Sequence, residues 1–150
     1  MKVERVAVIG AGHGGYGMAA DLTLAGYEVH LYGSRERGNL EPVIERGGIE
    51  LSGIAREGFA EISRVTADIA EAIAGVEIIL IATQALGHEA LAELCAPYLE
   101  DGQTMVILPG NFGSVIFSRI LKEKGVDKTD LLFFITVRLL EDKKEEAADK

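Results

Sequence analysis

At 150 residues, with 48% apolar and 26% charged side chains, the chain has the size and balance of one globular domain, which excludes disordered and collagen-like classes. Its formal net charge of −9 and the lack of any Lys/Arg run argue against a nucleic-acid partner, which demands a basic face for the phosphates. One cysteine, Cys95, excludes an intrachain disulfide and a cysteine zinc cluster, and apolar runs such as VEIILIA fall far short of the about 20 residues of a membrane span.

Val3 to Ile9 is a short β-branched and apolar run, the pattern of a strand covered on both faces in a parallel sheet. No room precedes it for a signal peptide, so a reducing cytoplasm is the expected compartment. A helix is predicted from about Gly14 to Ala25, with Met18, Ala19, Leu22 and Ala25 as its buried stripe and Gly26 as its C-terminal cap. Glu28 to Tyr32 is the second strand, completing a right-handed crossover unit. Glu41 to Arg46 makes a short helix with Pro42 in its first turn, broken by Gly47 and Gly48. GIELSG, IAREG and FAEISRVT then read as two short strands around a turn, a hairpin inserted in the next crossover.

Asp68 to Ala74 is a short helix capped by Asp68. Val76 to Ala82 is the most hydrophobic strand and is expected at the centre of the sheet. Gly87 to Tyr98 is an amphipathic helix read through Ala90, Leu91, Leu94, Cys95 and Tyr98. Thr104 to Leu108 is a strand, PGNFG a loop, and about Ser114 to Lys124 a helix closed by Gly125. LLFFITV is a candidate sixth strand, and EDKKEEAADK, with five acids and three lysines, a solvated tail. The alternation gives an α/β fold: a Rossmann-type doubly wound, mostly parallel sheet with a small β-hairpin insertion, residues 1–140 forming the dinucleotide-binding domain and 141–150 the tail.

Gly10-x-Gly12-x-x-Gly15 falls where the first strand ends and the first helix begins, the context that gives this pattern meaning. Gly10 permits the tight turn, Gly12 lets the backbone approach a pyrophosphate, and Gly15 lets helix and strand pack closely. The helix amino end then points its N–H groups and dipole at the phosphates, with Ala11, His13 and Gly14 completing the loop. A triphosphate-type loop is not supported, since no Gly-Lys-Ser/Thr follows.

An acid about 20 residues beyond the loop would bind the ribose 2′-hydroxyl of NAD. Here Tyr32-Gly33-Ser34-Arg35-Glu36-Arg37 stands instead, with no carboxylate directly at the strand end. Ser34 can donate to a 2′-phosphate and Arg35 or Arg37 can pair with it, which favours NADP over NAD; a shifted turn that brings Glu36 back as the acid is the alternative. Thr83 and Asn111 lie in two further loops expected at the carboxyl edge of the sheet, where ligands of open α/β sheets bind. Among the remaining candidates, His30 reads as a partnered strand histidine, His88 as a capping or solvent-facing residue, and Cys95 as a buried structural thiol.

AVIGAGHGGYGMAADLTLAGYEVHLY, followed by GGIELSG, VTADIAEAIAG, GHEALAELCAPYLEDGQT and LPGNFG, resembles the N-terminal domain of the octopine/nopaline (opine) dehydrogenases, from about Lys2 to Gly125. The GHEA segment and the PGNFG loop are the more specific part of that likeness. The resemblance implies a nicotinamide cofactor that reduces the imine of a 2-oxo acid and an amino acid, with Gly10, Gly12 and Gly15 as cofactor loop and the loop of Asn111 beside the nicotinamide. It also implies that the catalytic histidine and its acidic partner lie in a second, helical domain, so no catalytic residue and no metal ligand is expected among these residues. LLFFITVRLLEDKKEE departs from the family pattern; a fragment, a frameshifted product and a single-domain relative all fit. Two functions are open: the cofactor domain of an oxidoreductase working with a missing or separate catalytic domain, and a non-catalytic dinucleotide-sensing module. A homo-oligomer that covers an exposed interdomain face is expected in either case.

Overall fold

The computed structural model of the chain describes residues 2–37, 40–53, 56–108, 113–126 and 130–133. In chain order the regular elements are β1 (Arg5–Ile9), α1 (His13–Leu24), β2 (Glu28–Tyr32), α2 (Glu41–Arg46), β3 (Ile49–Leu51), β4 (Gly58–Ala60), β5 (Arg64–Thr66), α3 (Ile69–Ile73), β6 (Ile78–Ile81), α4 (His88–Cys95), β7 (Thr104–Ile107), α5 (Gly113–Glu123) and β8 (Asp130–Phe133). Single-turn helices at Arg35–Arg37, Ala85–Gly87 and Ala96–Tyr98 join them.

Six strands form one sheet in the order β5-β2-β1-β6-β7-β8, and every pairing in it is parallel. Taken in chain order this is the strand arrangement of a doubly wound dinucleotide-binding sheet, with its reversal point between β1 and β6. β3 and β4 pair antiparallel outside it, as the expected hairpin insertion. The sequence reading ran β4 and β5 together as FAEISRVT. The chain instead leaves the hairpin at residues 61–63 and re-enters the main sheet, where His30, Leu31 and Tyr32 align with Arg64, Val65 and Thr66. Three residues, one exposed and two half-buried, were too short a pattern to separate from the strand before it.

The sheet is buried on both faces because consecutive strand residues feed different cores. Ala7 and Ile9 of β1, Ile79 and Ile81 of β6, and Met105 and Ile107 of β7 face α3, α4 and α5. Val8, Val29 and Leu31 face Ala19 of α1 and Val43 of α2. A pair of such layers, burying many side chains of about 1.5–3 kcal/mol each, is what offsets the entropy of ordering the chain. Small residues on α1 set how near it lies: Gly15, Ala19 and Ala20 are its buried positions, whereas Ala25, assigned to the stripe by periodicity, is exposed.

α4 shows a larger departure. Its buried positions are His88, Leu91, Ala92 and Cys95, a helical stripe at spacings of three and four, while Ala90, Leu94 and Tyr98 are exposed. His88 belongs to the core, and counting it as polar rotated the expected face. Gln103, also buried, explains how the loop before β7 is held: its Nε2 donates to the carbonyls of Ile73 and Val76 at 2.7 and 3.1 Å. Asp68 caps α3 as expected, its Oδ1 accepting from the Ala70 N–H at 2.9 Å. The first three residues of LLFFITV fall in β8, which pairs with β7; residues 134–150, including the charged tail, lie outside those described.

Candidate cofactor site

The glycine turn lies at the carboxyl end of β1, against the reversal point of the sheet. Gly10 has φ +125°, a conformation that L side chains rarely adopt, and a β-carbon there would lie 2.7 Å from the Ala82 carbonyl oxygen and 3.1 Å from Thr83 Cγ2. A β-carbon on Gly15 would lie 1.6 Å from the Gly10 carbonyl oxygen, so helix and turn are in backbone contact. Gly12 and Gly14 differ in kind, since a β-carbon on either meets nothing within 4 Å. Two glycines therefore answer to packing inside the fold, and two leave the approach to the amino end of α1 open.

α1 is capped at Gly12 with no side-chain hydrogen bond, and its first turn carries no acid. The Gly12 carbonyl accepts from the Tyr16 N–H at 2.8 Å, which leaves the N–H groups of His13, Gly14 and Gly15 without helical acceptors. His13 is exposed and Ala11 buried beneath the turn. Donors pointing outward, the helix dipole behind them and no carboxylate in the way suit an anion.

At the end of β2 the acid of NAD-specific sites is absent for a steric reason. A β-carbon on Gly33 would lie 2.6 Å from Ala11 Cβ and 2.8 Å from Leu40 Cδ2. Gly33 also donates its N–H to the Thr66 carbonyl at 3.2 Å, which joins this segment to β5. Ser34 is half-buried, and Arg35 and Glu36 are both exposed on the single-turn helix that follows. Beside them the Thr66 hydroxyl donates to Glu71 Oε2 at 2.8 Å and accepts from the Asp68 N–H at 3.0 Å. Burial, and then the neighbouring Cys95 and Asp68, push the Tyr32 phenol above its ordinary value.

Thr83 lies just past β6, next to Gly10, with its Oγ1 buried and without a hydrogen-bond partner among the described residues. Its carbonyl accepts from His88 Nε2–H at 3.2 Å. Sequence reasoning left His88 at the surface, yet the residue is fully buried, its ring edge-on to Phe117 with centroids 5.8 Å apart. The signal available in the sequence was its place three, four and seven residues before Leu91, Ala92 and Cys95. Asn111 and the rest of its loop before Gly113 lie outside the described residues. The fold thus brings Gly10 to Gly15 and Thr83 together at the centre, with Ser34 and Arg35 on the β2 side.

His30 is the partnered strand histidine expected, with Nδ1 2.9 Å from the Ala72 carbonyl and Nε2 3.2 Å from Glu28 Oε1. Cys95 is fully buried, and burial pushes its thiol up to about 12, as befits a structural thiol. Among the described residues no group of three or more His, Cys, Asp or Glu side chains could hold a metal ion, and no helix is long and apolar enough to cross a membrane.

Residues 6–129 match the family described as ketopantoate reductase PanE/ApbA. Over 132 residues the chain is 32% identical to an opine dehydrogenase of Arthrobacter sp. (strain 1C), covering 87% of this chain and 36% of the relative. Octopine dehydrogenase in complex with NADH and agmatine superposes with a TM-score of 0.72 at 22% identity, over 85% of this chain and 34% of that one. Yersinopine dehydrogenase with NADP+ bound gives 0.71 at 16% identity, over 88% of this chain and 34% of that one. A PanE/ApbA family ketopantoate reductase from Ralstonia eutropha JMP134 gives 0.65 at 19% identity, over 85% and 39%. The structures bear out the fold, and the chain spans about a third of the length of the curated relative. With the family match covering most of its length, the chain belongs to the ketopantoate reductase PanE/ApbA family, as an opine dehydrogenase-like N-terminal domain.

Proposed function

We propose that this chain is the nicotinamide-dinucleotide-binding part of an opine dehydrogenase-like oxidoreductase, with NADP preferred over NAD. The observation that carries the reading is the amino end of α1: open at Gly12 and Gly14, free of acids, and fixed by the contact of Gly15 on Gly10. The Thr83 hydroxyl, without a partner among the described residues, supplies a polar group at the reversal point where the second half of a dinucleotide would lie, and Asn111 belongs to the same proposed site. Bound there, the cofactor would supply a hydride for reductive condensation of a 2-oxo acid with an amino acid. The residues described here bind and orient; the acid–base pair for that reaction is expected from a second domain.

The NADP preference rests on Gly33, whose surroundings admit no carboxylate, and on Ser34 and Arg35 next to it. Parallel calorimetric titration with NADPH and NADH tests the whole reading. Binding of both with NADPH tighter is expected; no binding of either refutes the dinucleotide site, and tighter NADH refutes the assignment of Ser34 and Arg35. Imine reduction by the chain alone would refute the division of labour.

The chain also presents apolar side chains near the carboxyl edge of the sheet, Leu86 at 98% and Val115 at 63% exposure, and β8 ends the described sheet. They support a homo-oligomer or a docked catalytic domain, so elution as a monomer at high concentration would count against the former. A lone thiol buried in the core is compatible with the cytoplasm as its compartment.

A further inference from the structure

We propose that His88 is a positioning residue for the nicotinamide half of the dinucleotide, acting through Thr83 and Gly113 without touching the ligand. The inference rests on the dinucleotide reading above. His88 has no exposed surface, so direct contact is excluded. Its Nε2 faces a carbonyl, which accepts only, so Nε2 donates in that bond, and the ring's other polar atom is Nδ1. That nitrogen has no hydrogen-bond partner among the described residues. An imidazole that gives up half of its hydrogen-bonding capacity in a core costs stability relative to a well-packed apolar side chain. Departures from the best local choice of that kind are expected at functional sites.

The contacts show what the ring holds. On one side it fixes the carbonyl of Thr83, the residue whose Cγ2 closes on Gly10 and whose hydroxyl lies buried at the reversal point. The turn that follows is shut by the Gly87 N–H to the Gln84 carbonyl at 2.9 Å, so the path from Thr83 to His88 is short and stiff. On the other side the ring presses on the first residue of α5. A β-carbon on Gly113 would lie 2.5 Å from His88 Nδ1, 2.7 Å from Cε1 and 3.0 Å from Ile107 Cγ2. One buried ring is therefore wedged between the segment leaving β6 and the helix that follows β7, and it sets the spacing of the two strand ends that take the second mononucleotide of a doubly wound sheet. β2 and β5, which take the first, are on the far side of β1 from β6.

The test compares the full chain with His88→Leu, His88→Gln and Gly113→Ala. Leu keeps apolar bulk and removes the donor to Thr83; Gln restores an N–H near the position of Nε2; the alanine methyl displaces the ring without deleting it. NADPH, NADH and ADP, which has the adenosine and pyrophosphate but no nicotinamide, are titrated by calorimetry, and thermal unfolding is followed in parallel. Loss of one hydrogen-bonded anchor predicts that His88→Leu and Gly113→Ala bind the reduced dinucleotides about tenfold more weakly. ADP affinity stays within about twofold of the parent, and His88→Gln recovers most of the loss. Equal weakening of ADP and dinucleotide, or unchanged dinucleotide affinity in variants that unfold at lower temperature, would overturn the proposal by making His88 a core residue only. If His88→Leu fails to fold, the Gln and Gly113 variants decide by the same criteria. Failure of the parent itself to bind NADPH or NADH would refute the dinucleotide reading instead, which keeps the two outcomes apart.

Discussion

Gly12→Ala and Gly15→Ala add the same methyl group to the same turn and should fail in opposite ways. At Gly15 the new carbon would stand 1.6 Å from the Gly10 carbonyl oxygen, where ordinary contact begins near 3.4 Å. Turn and helix would have to part by about 1.8 Å, and because both obstacles are backbone no rotamer change relieves them. Overpacking of that kind costs about 1–3 kcal/mol or more. At about 2–4 °C per kcal/mol for a domain of this size, the melting temperature should fall by up to about 10 °C. At Gly12 the methyl meets nothing, and φ −102°, ψ −172° suits alanine, so unfolding should shift only by the small cost of a poorer helix cap. That methyl does occupy the approach to the first-turn N–H groups. One lost charge-assisted hydrogen bond, about 1.5–3 kcal/mol, corresponds to a dinucleotide affinity at least about tenfold weaker. Circular-dichroism melts and calorimetric titration of the two variants separate the effects. A Gly12→Ala chain that melts and binds like the parent would refute the assignment of that open space to a pyrophosphate.

His30→Leu removes the donor to the Ala72 carbonyl beside the end of α3, and should cost about 1–3 kcal/mol in urea unfolding; no loss would mean that water replaces the imidazole. Gly33→Ala should destabilise by about 1–3 kcal/mol, and combined with Leu40→Ala it should cost less than the sum of the two single variants, since one of the two obstructing side chains is then gone; strict additivity in urea unfolding would refute the clash. Burial pushes the Cys95 thiol up to about 12, so the unfolded chain releases that proton first as pH rises. The contribution is intact below about pH 8 and is lost between the unfolded value near 8.5 and pH 12, approaching about 4–5 kcal/mol. The stability gap between the chain and Cys95→Ala, measured by denaturant titration, should narrow over that range, and a constant gap would refute it. If Arg35 pairs with a 2′-phosphate, added salt should weaken NADPH binding more than NADH binding; equal dependence would return the choice to Glu36.

Most of the fold was legible because its elements are long enough to show a period or are bounded by glycine. β1, α1, β2 and β6 fall within a residue or two of where the sequence places them, and Gly47 and Gly125 end their helices with φ +75° and +76°. What escaped was short or polar. β5 is three residues whose identity as a strand depends on β2 lying beside it, a contact that no local pattern encodes. His88 escaped because a histidine at a helix start is ordinarily polar surface, and only the position of α5 turns it into core. The packing of the glycine loop was legible, since steric demand at Gly10 and Gly15 and open space at Gly12 follow from the motif and its strand–helix setting.

At the end of β2 the fold adds a cause that the residue pattern does not display. The sequence reading took the missing carboxylate as relief of repulsion for a phosphate. In the fold, position 33 has room for no side chain at all, with Ala11 of the glycine turn on one side and Leu40 on the other. In the proposed site, choice between the two cofactors would fall to Ser34, Arg35 and Glu36, beyond the crowded point. There the charges oppose one another. Arg35 is exposed and able to reach a phosphate, yet Glu36 is its neighbour, and Asp68 and Glu71 stand at the adjoining strand end, Glu71 held in place by the Thr66 hydroxyl. Exposed pairs are worth about 0–1 kcal/mol, so a single exposed arginine among three acids yields a preference of a few-fold and not an exclusive site. A strongly exclusive preference for NADPH in the titration would therefore require a second cation at the phosphate, and substitution of Arg37, the other arginine of the Ser34-Arg35-Glu36-Arg37 segment, would test for it.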